Sequence, residues 1–110
     1  MKRILAYKDY YVKFMKSLPE RDRQKIRRSL LLMETEDRIP SHYIKYIRDG
    51  LYEFRVTSLG NEYRLFYIYD GETIVILLNC YMKKTRKALD HEIDKALRLK
   101  KEYYESKGTI

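Results

Sequence analysis

A chain of 110 residues with 45% hydrophobic content is long enough for one domain with a modest core, too short for two, and too apolar for a disordered tail. Its 24 Lys and Arg against 16 Asp and Glu leave a formal charge of +8, which points to polyanions or to an acidic protein partner. The longest apolar run, residues 74–78, falls far short of the roughly 20 residues a membrane helix needs. The N-terminus lacks the features of a secretory signal, so a soluble, cytoplasmic protein with no membrane partner is expected.

Cys80 is the single cysteine and reads as a small buried hydrophobe. With only His42 and His91 as imidazoles, and neither at a ligand spacing from the other, no metal and no cofactor is expected. Twelve tyrosines without a tryptophan supply rings that can pack or stack on bases.

In chain order, Ile4-Leu5-Ala6-Tyr7 reads as an edge strand. Val12, Phe14, Met15 and Leu18 predict a helix over residues 9–17. Pro19 and Glu20 open a second helix that runs to residue 34. Ile26, Leu30 and Met33 mark its buried face, and Arg21, Arg23, Lys25, Arg27 and Arg28 form a basic remainder, either solvated or RNA-binding. Residues 37–49 are irregular, with Pro40 as a breaker and Asp49-Gly50 as a turn.

Three strands follow. In 51–56, Tyr52, Phe54 and Val56 share one face while Glu53 and Arg55 lie on the other, either a solvated face or part of a site. After a Gly60-Asn61 loop, residues 63–69 set Arg64, Phe66 and Ile68 against Leu65, Tyr67 and Tyr69. Asp70-Gly71 signals another hairpin, and the apolar stretch 73–80 reads as a central strand covered on both faces. A basic run, Lys83-Lys84-Thr85-Arg86-Lys87, leads into a closing helix over 89–105. Leu89, Ile93, Ala96, Leu97 and the stem of Lys100 form its apolar face, and Gly108 is its stop. The expected fold is a single α+β domain over residues 1–110. Two N-terminal helices pack on a twisted antiparallel sheet of 3–4 strands, and a C-terminal helix closes the edge.

Four segments in order carry a family resemblance: Gly50-Leu51-Tyr52-Glu53-Phe54-Arg55, Tyr63-Arg64-Leu65-Phe66-Tyr67, Ile76-Leu77-Leu78 with Tyr81-Met82-Lys83-Lys84-Thr85, and Glu92-Ile93-Asp94-Lys95-Ala96. Together they resemble the RelE/ParE superfamily of bacterial toxins, in its HigB-like branch. The resemblance implies a RelE-like fold and the toxin of a type II toxin–antitoxin system. It implies a ribosome-dependent, metal-independent mRNA endoribonuclease that inhibits translation. It also implies a helix-turn-helix, HigA-like antitoxin as partner, through which alone operator DNA is reached.

Cleaving RNA without a metal requires deprotonation of a 2′-hydroxyl, in-line attack on phosphorus and protonation of the departing 5′-oxygen. Arginine suits the phosphate because its planar fork pairs bidentately and keeps its charge. By resemblance, Arg64 contacts the scissile phosphate, and Lys84, with Lys83 before it, stabilises the phosphate or donates a proton. Arg55, Tyr81, Arg86 and Lys87 are RNA-binding candidates. Neighbouring strands lie about 5 Å apart, which can bring Arg55, Arg64 and the Lys83-Lys84 end to one concave face.

Other readings stay open. Arg64 can form a cross-strand ion pair with Glu53. Asp90 stands where some members carry a tyrosine base, so it can act as a base with His91 or simply favour the helix N-terminus. A ParE-like gyrase inhibitor and a non-catalytic RNA- or ribosome-binding module are the competing functions.

Overall fold

The computed structural model describes residues 1–108. In chain order the elements are β1 (Arg3–Ala6), α1 (Tyr10–Lys16), α2 (Glu20–Thr35), a single 3-10 turn (Ser41–Tyr43), β2 (Ile44–Arg48), β3 (Leu51–Ser58), β4 (Asn61–Asp70), β5 (Ile74–Met82) and α3 (Arg86–Gly108). The strands form one sheet in the order β1-β5-β4-β3-β2, with β1 parallel to β5 and the other pairs antiparallel. The fold is α+β, as expected, and β1 is the edge strand read from the sequence.

The sheet differs from the expectation in being mixed and five-stranded. β2 escapes a pattern reading because its register on β3 shifts between Tyr46 and Arg48. Its partly buried residues, Ile44 and Ile47, therefore stand three apart rather than two, which breaks the alternation of a half-buried strand. β5 is an interior strand covered on both faces, as expected, and β4 is the middle one of the five.

Both faces of the sheet are covered. Met15 of α1 and Ile26, Leu30 and Met33 of α2 pack against Phe54, Val56, Tyr63, Leu65, Tyr67, Val75 and Leu77. On the other face Ala96 and Leu99 of α3 meet Leu51, Phe66, Ile68, Ile76 and Leu78. α3 thus lies across a face, where the sequence reading had it closing an edge. The reason is apolar surface: the second face of β3–β5 carries five buried hydrophobes that need a cover. Among the described residues no helix is long and apolar enough to cross a membrane.

β5 contains one extra residue relative to β4. Leu65 pairs with Cys80 and Tyr67 with Leu77, so Leu78 and Asn79 together face Phe66. Leu78 packs beneath α3. Asn79 turns its amide N–H toward α3 as well, donating to the Glu92 carbonyl at 3.0 Å.

The tight turns explain two glycines. Arg48 pairs with Leu51 across Asp49 (φ 52) and Gly50 (φ 76), the positive pair that a type I′ hairpin turn requires. The Lys100 ammonium, reaching back from α3, donates to the Asp49 carbonyl. The second hairpin loop is Leu59-Gly60 rather than Gly60-Asn61, since Ser58 already pairs with Asn61. It places a leucine, 72% exposed, at φ 50. A branched side chain in the left-handed region is strained by about 1 kcal/mol.

Polar groups anchor α2 at both ends. Asp22, on its buried face, accepts hydrogen bonds from the Ser58 hydroxyl at 2.7 Å and from the Tyr63 hydroxyl. At the other end Glu34 accepts from the outward-facing backbone N–H of Ile4 at 3.0 Å, beyond the open side of β1.

Two stability predictions follow from these details. Leu59→Asn relieves the turn and raises stability by about 1 kcal/mol, read as a higher urea midpoint at unchanged slope. The hydroxyls of Ser58 and Tyr63 hold the Asp22 carboxyl below the usual carboxylate range. Its contribution is therefore complete above the unfolded-state value and is lost as pH falls through the lower folded one. Asp22→Asn should lower stability at neutral pH and flatten this acid limb, measured by urea unfolding between about pH 2 and pH 7.

Candidate functional site

The sheet presents a row of charges on the face that α3 covers. Arg55 of β3 and Arg64 of β4 are direct cross-strand partners, and Tyr81 of β5 pairs with Arg64 on its other side. Two guanidinium groups directly opposite one another repel. Glu53 resolves the repulsion from a position 2% exposed. Its Oε1 accepts from Arg55 Nε at 3.0 Å and lies 3.6 Å from Arg64 Nη1. Arg64 Nη2 reaches Glu62 at 3.5 Å. The cross-strand pair left open by the sequence is therefore present, and of the open readings for Glu53 the solvated face is the one that its burial excludes.

Arg64 is itself nearly enclosed, with its side chain 7% exposed. It lines two cavities all the same. One, of about 270 Å³, lies between the sheet end and the start of α3. Arg55, Arg64, Lys83, Arg86, Lys45 and Asp90 give its wall charge, and Leu89 and Ile93 of α3 give it an apolar side. The other, of about 290 Å³, is lined by Lys25, His42, Tyr43, Arg55, Thr57, Glu62 and Arg64. Arg55 and Arg64 are the residues common to both.

Of the residues singled out from sequence, the structure brings Arg55, Arg64, Lys83 and Arg86 to one cavity. Lys84 and Lys87 are exposed and line neither cavity. Arg86 is the first residue of α3, which starts three residues earlier than the apolar pattern indicates. The cause is Thr85, whose hydroxyl oxygen accepts the Ala88 backbone N–H at 3.0 Å and caps the helix. Asp90 sits one turn on, 3.8 Å from Arg86.

Tyr81 stacks on Phe66 with ring centroids 5.9 Å apart and planes 8° from parallel. Its hydroxyl and the Arg64 Nε are both buried without a hydrogen-bond partner among the described residues. Burial pushes the Tyr81 phenol up to about 12, the Glu53 charge adding to the effect and Arg64 opposing it. At neutral pH this group is a hydrogen-bond donor and not a base. Burial likewise pushes the Cys80 thiol up, with the Glu92 charge adding, so it is inert packing as expected.

Lys45, Tyr46 and His42 belong to the site and were not foreseen. All three lie in the segment that reads as irregular, so nothing in the sequence placed them beside β3. Lys25 was visible only as one of five cations on α2. No group of three or more His, Cys, Asp or Glu among the described residues could hold a metal ion.

Removing Glu53 leaves the arginine pair without its counter-charge in a buried setting. Glu53→Ala is expected to cost about 2–4 kcal/mol by urea unfolding, and Glu53→Gln, which keeps an acceptor for Arg55, about half as much. A loss below about 0.5 kcal/mol for the alanine variant would show that the pair contributes nothing to the fold.

Residues 13–101 match the family described as Phage derived protein Gp49-like (DUF891). The match runs from α1 into the last third of α3 and includes every candidate residue above. No curated protein matches the chain. With four-fifths of its length inside that match, the chain belongs to the phage-derived Gp49-like family, a family of RelE/ParE-like toxins of toxin–antitoxin systems.

Proposed function

We propose that this toxin is a ribosome-dependent, metal-independent mRNA endoribonuclease of the HigB-like branch, acting in the cytoplasm as a single domain over residues 1–110. The observation that carries the reading is the pair Arg55 and Arg64, held side by side by Glu53 and shared by two polar cavities. Such a pair is a seat for a phosphodiester, because two guanidinium groups are gathered beside one buried carboxylate before the substrate arrives.

In this reading Arg64 binds the scissile phosphate. Glu62, 51% exposed, swings away to release Nη2, while buried Glu53 keeps the fork oriented. Lys83 supplies positive charge and a proton from the wall of the first cavity, with Lys84 beside it at the rim. Tyr81, paired with Arg64 across the strands and lining neither cavity, keeps its RNA-binding role in this reading through its place beside that arginine. Arg86 and Lys87, on the first turn of α3, contact flanking phosphates where backbone N–H groups also favour an anion. A helix-turn-helix, HigA-like antitoxin neutralises the toxin, and its acidic groups complement a chain of net charge +8. Operator DNA is reached only through that partner.

The test is translation in vitro with primer extension on the message. The wild type should cut within codons only when ribosomes are present. Lys83→Ala with Lys84→Ala, both outside the core, should slow cutting by about 100-fold or more at unchanged melting temperature. Arg64→Lys should do the same, because an ammonium cannot replace the fork. An intact message together with inhibited gyrase supercoiling would replace this reading with a ParE-like one. An intact message with active gyrase would leave only a binding module.

A further inference from the structure

In-line cleavage needs two proton exchangers, one for the attacking 2′-oxygen and one for the departing 5′-oxygen, on opposite sides of phosphorus. Three candidates for the first fail on geometry or chemistry. The Tyr81 phenol keeps its proton near neutrality. Asp90 faces the cation Arg86 on its own helix, in the cavity that also holds Lys83. His91, exposed like His42, lines neither cavity.

His42 is placed differently. It stands in the 3-10 turn before β2 and lines the second cavity together with Arg55 and Arg64. Its ring lies 4.4 Å from that of Tyr43, which stacks in turn on fully buried Phe54 at 5.5 Å and 11°. The imidazole is thus the outer end of a column of rings rooted in the core, which limits its freedom to turn. Imidazole is also the side chain that changes protonation near neutrality. His42 and Lys83 line different cavities, and the arginine pair is what those cavities share.

We infer that His42 is the catalytic base of this toxin, an assignment that rests on the nuclease reading. A ring nitrogen takes the proton of the 2′-hydroxyl as the 2′-oxygen bonds to phosphorus. The bond from phosphorus to the 5′-oxygen breaks, its electron pair stays on that oxygen, and the Lys83 ammonium gives it a proton. The products are a 2′,3′-cyclic phosphate and a 5′-hydroxyl. Water then takes the proton from the imidazolium, and lysine regains one from solvent. The groups facing His42 are Lys25 from α2, Tyr43 from its own turn, Arg55 from β3, and Glu62 and Arg64 from β4.

The experiment is a single-turnover pH–rate profile of the full chain on ribosomes programmed with a short message. The wild-type rate should rise with pH across the range where imidazole loses its proton. His42→Ala and His42→Gln should be at least about 100-fold slower and lack that rise, with unchanged melting temperature and ribosome binding. Added imidazole should restore part of the rate to His42→Ala. If either variant keeps the wild-type rate and profile, the base is elsewhere and the nuclease reading survives. A slow variant that retains the pH-dependent rise and ignores imidazole makes His42 structural and overturns the assignment. Failure of the wild type to cut any message overturns the assignment and the nuclease reading together.

Discussion

Asn79, the one residue that β5 carries in excess over β4, decides which side chains can meet at the end of the sheet. Up to Leu78 the even positions of β5 face α3, with Ile76 and Leu78 packed beneath it. After the bulge the phase inverts: Cys80 and Met82 turn to the α1–α2 face, and Tyr81 turns to α3. Lys83 follows Tyr81 and so joins Arg64 and Arg55 on one wall. Were Asn79 part of an unbulged strand, unbroken alternation would aim Lys84 at α3 and turn Lys83 toward the opposite face. Asn79 also ties the irregularity to α3 through the carbonyl and carboxylate of Glu92, so the helix and the phase change support one another.

The second constraint is electrostatic. A pair of guanidinium groups in cross-strand register is unfavourable unless an anion stands between them, and Glu53 is that anion. Its burial keeps it from being replaced by solvent, and it hydrogen-bonds Arg55 and stands within ion-pair distance of Arg64 before anything binds. The cost is that Arg64 has little exposed surface and that part of its charge is already balanced. Positive potential at the site accordingly comes from several elements at once: Lys45 on β2, Lys83 past β5, Arg86 on α3 and Lys25 on α2. Each of these elements gives the two cavities a single cation, although α2 and the 83–87 run each carry further cations that line neither.

That distribution also explains what was legible in the sequence. Two N-terminal helices, the buried face of α2, the strands β3 and β4 and the facing of Arg64 with Phe66 and Ile68 follow from periodicity, β5 follows from its apolar run, and all are present. The charged pair Arg55 and Arg64 is visible because both lie on strands that alternate cleanly. What was not legible depends on broken periodicity or on tertiary company. The shifted register of β2 hid Lys45, and its preceding turn hid His42. The burial of Glu53 depends on α3 lying over the sheet, which no local pattern specifies. The different placements of Lys83 and Lys84 depend on a bulge that a continuous apolar run conceals.

Glu34 matters beyond anchoring α2. A sheet with an open outer strand invites lateral growth, since a newcomer's carbonyls find amide hydrogens waiting. At β1 the Ile4 amide already points at a carboxylate supplied by the neighbouring helix. An arriving strand would meet negative charge and an occupied donor, so the rim resists zippering into fibrils. A toxin made in excess of its inhibitor would need such a safeguard against coagulating with its own copies.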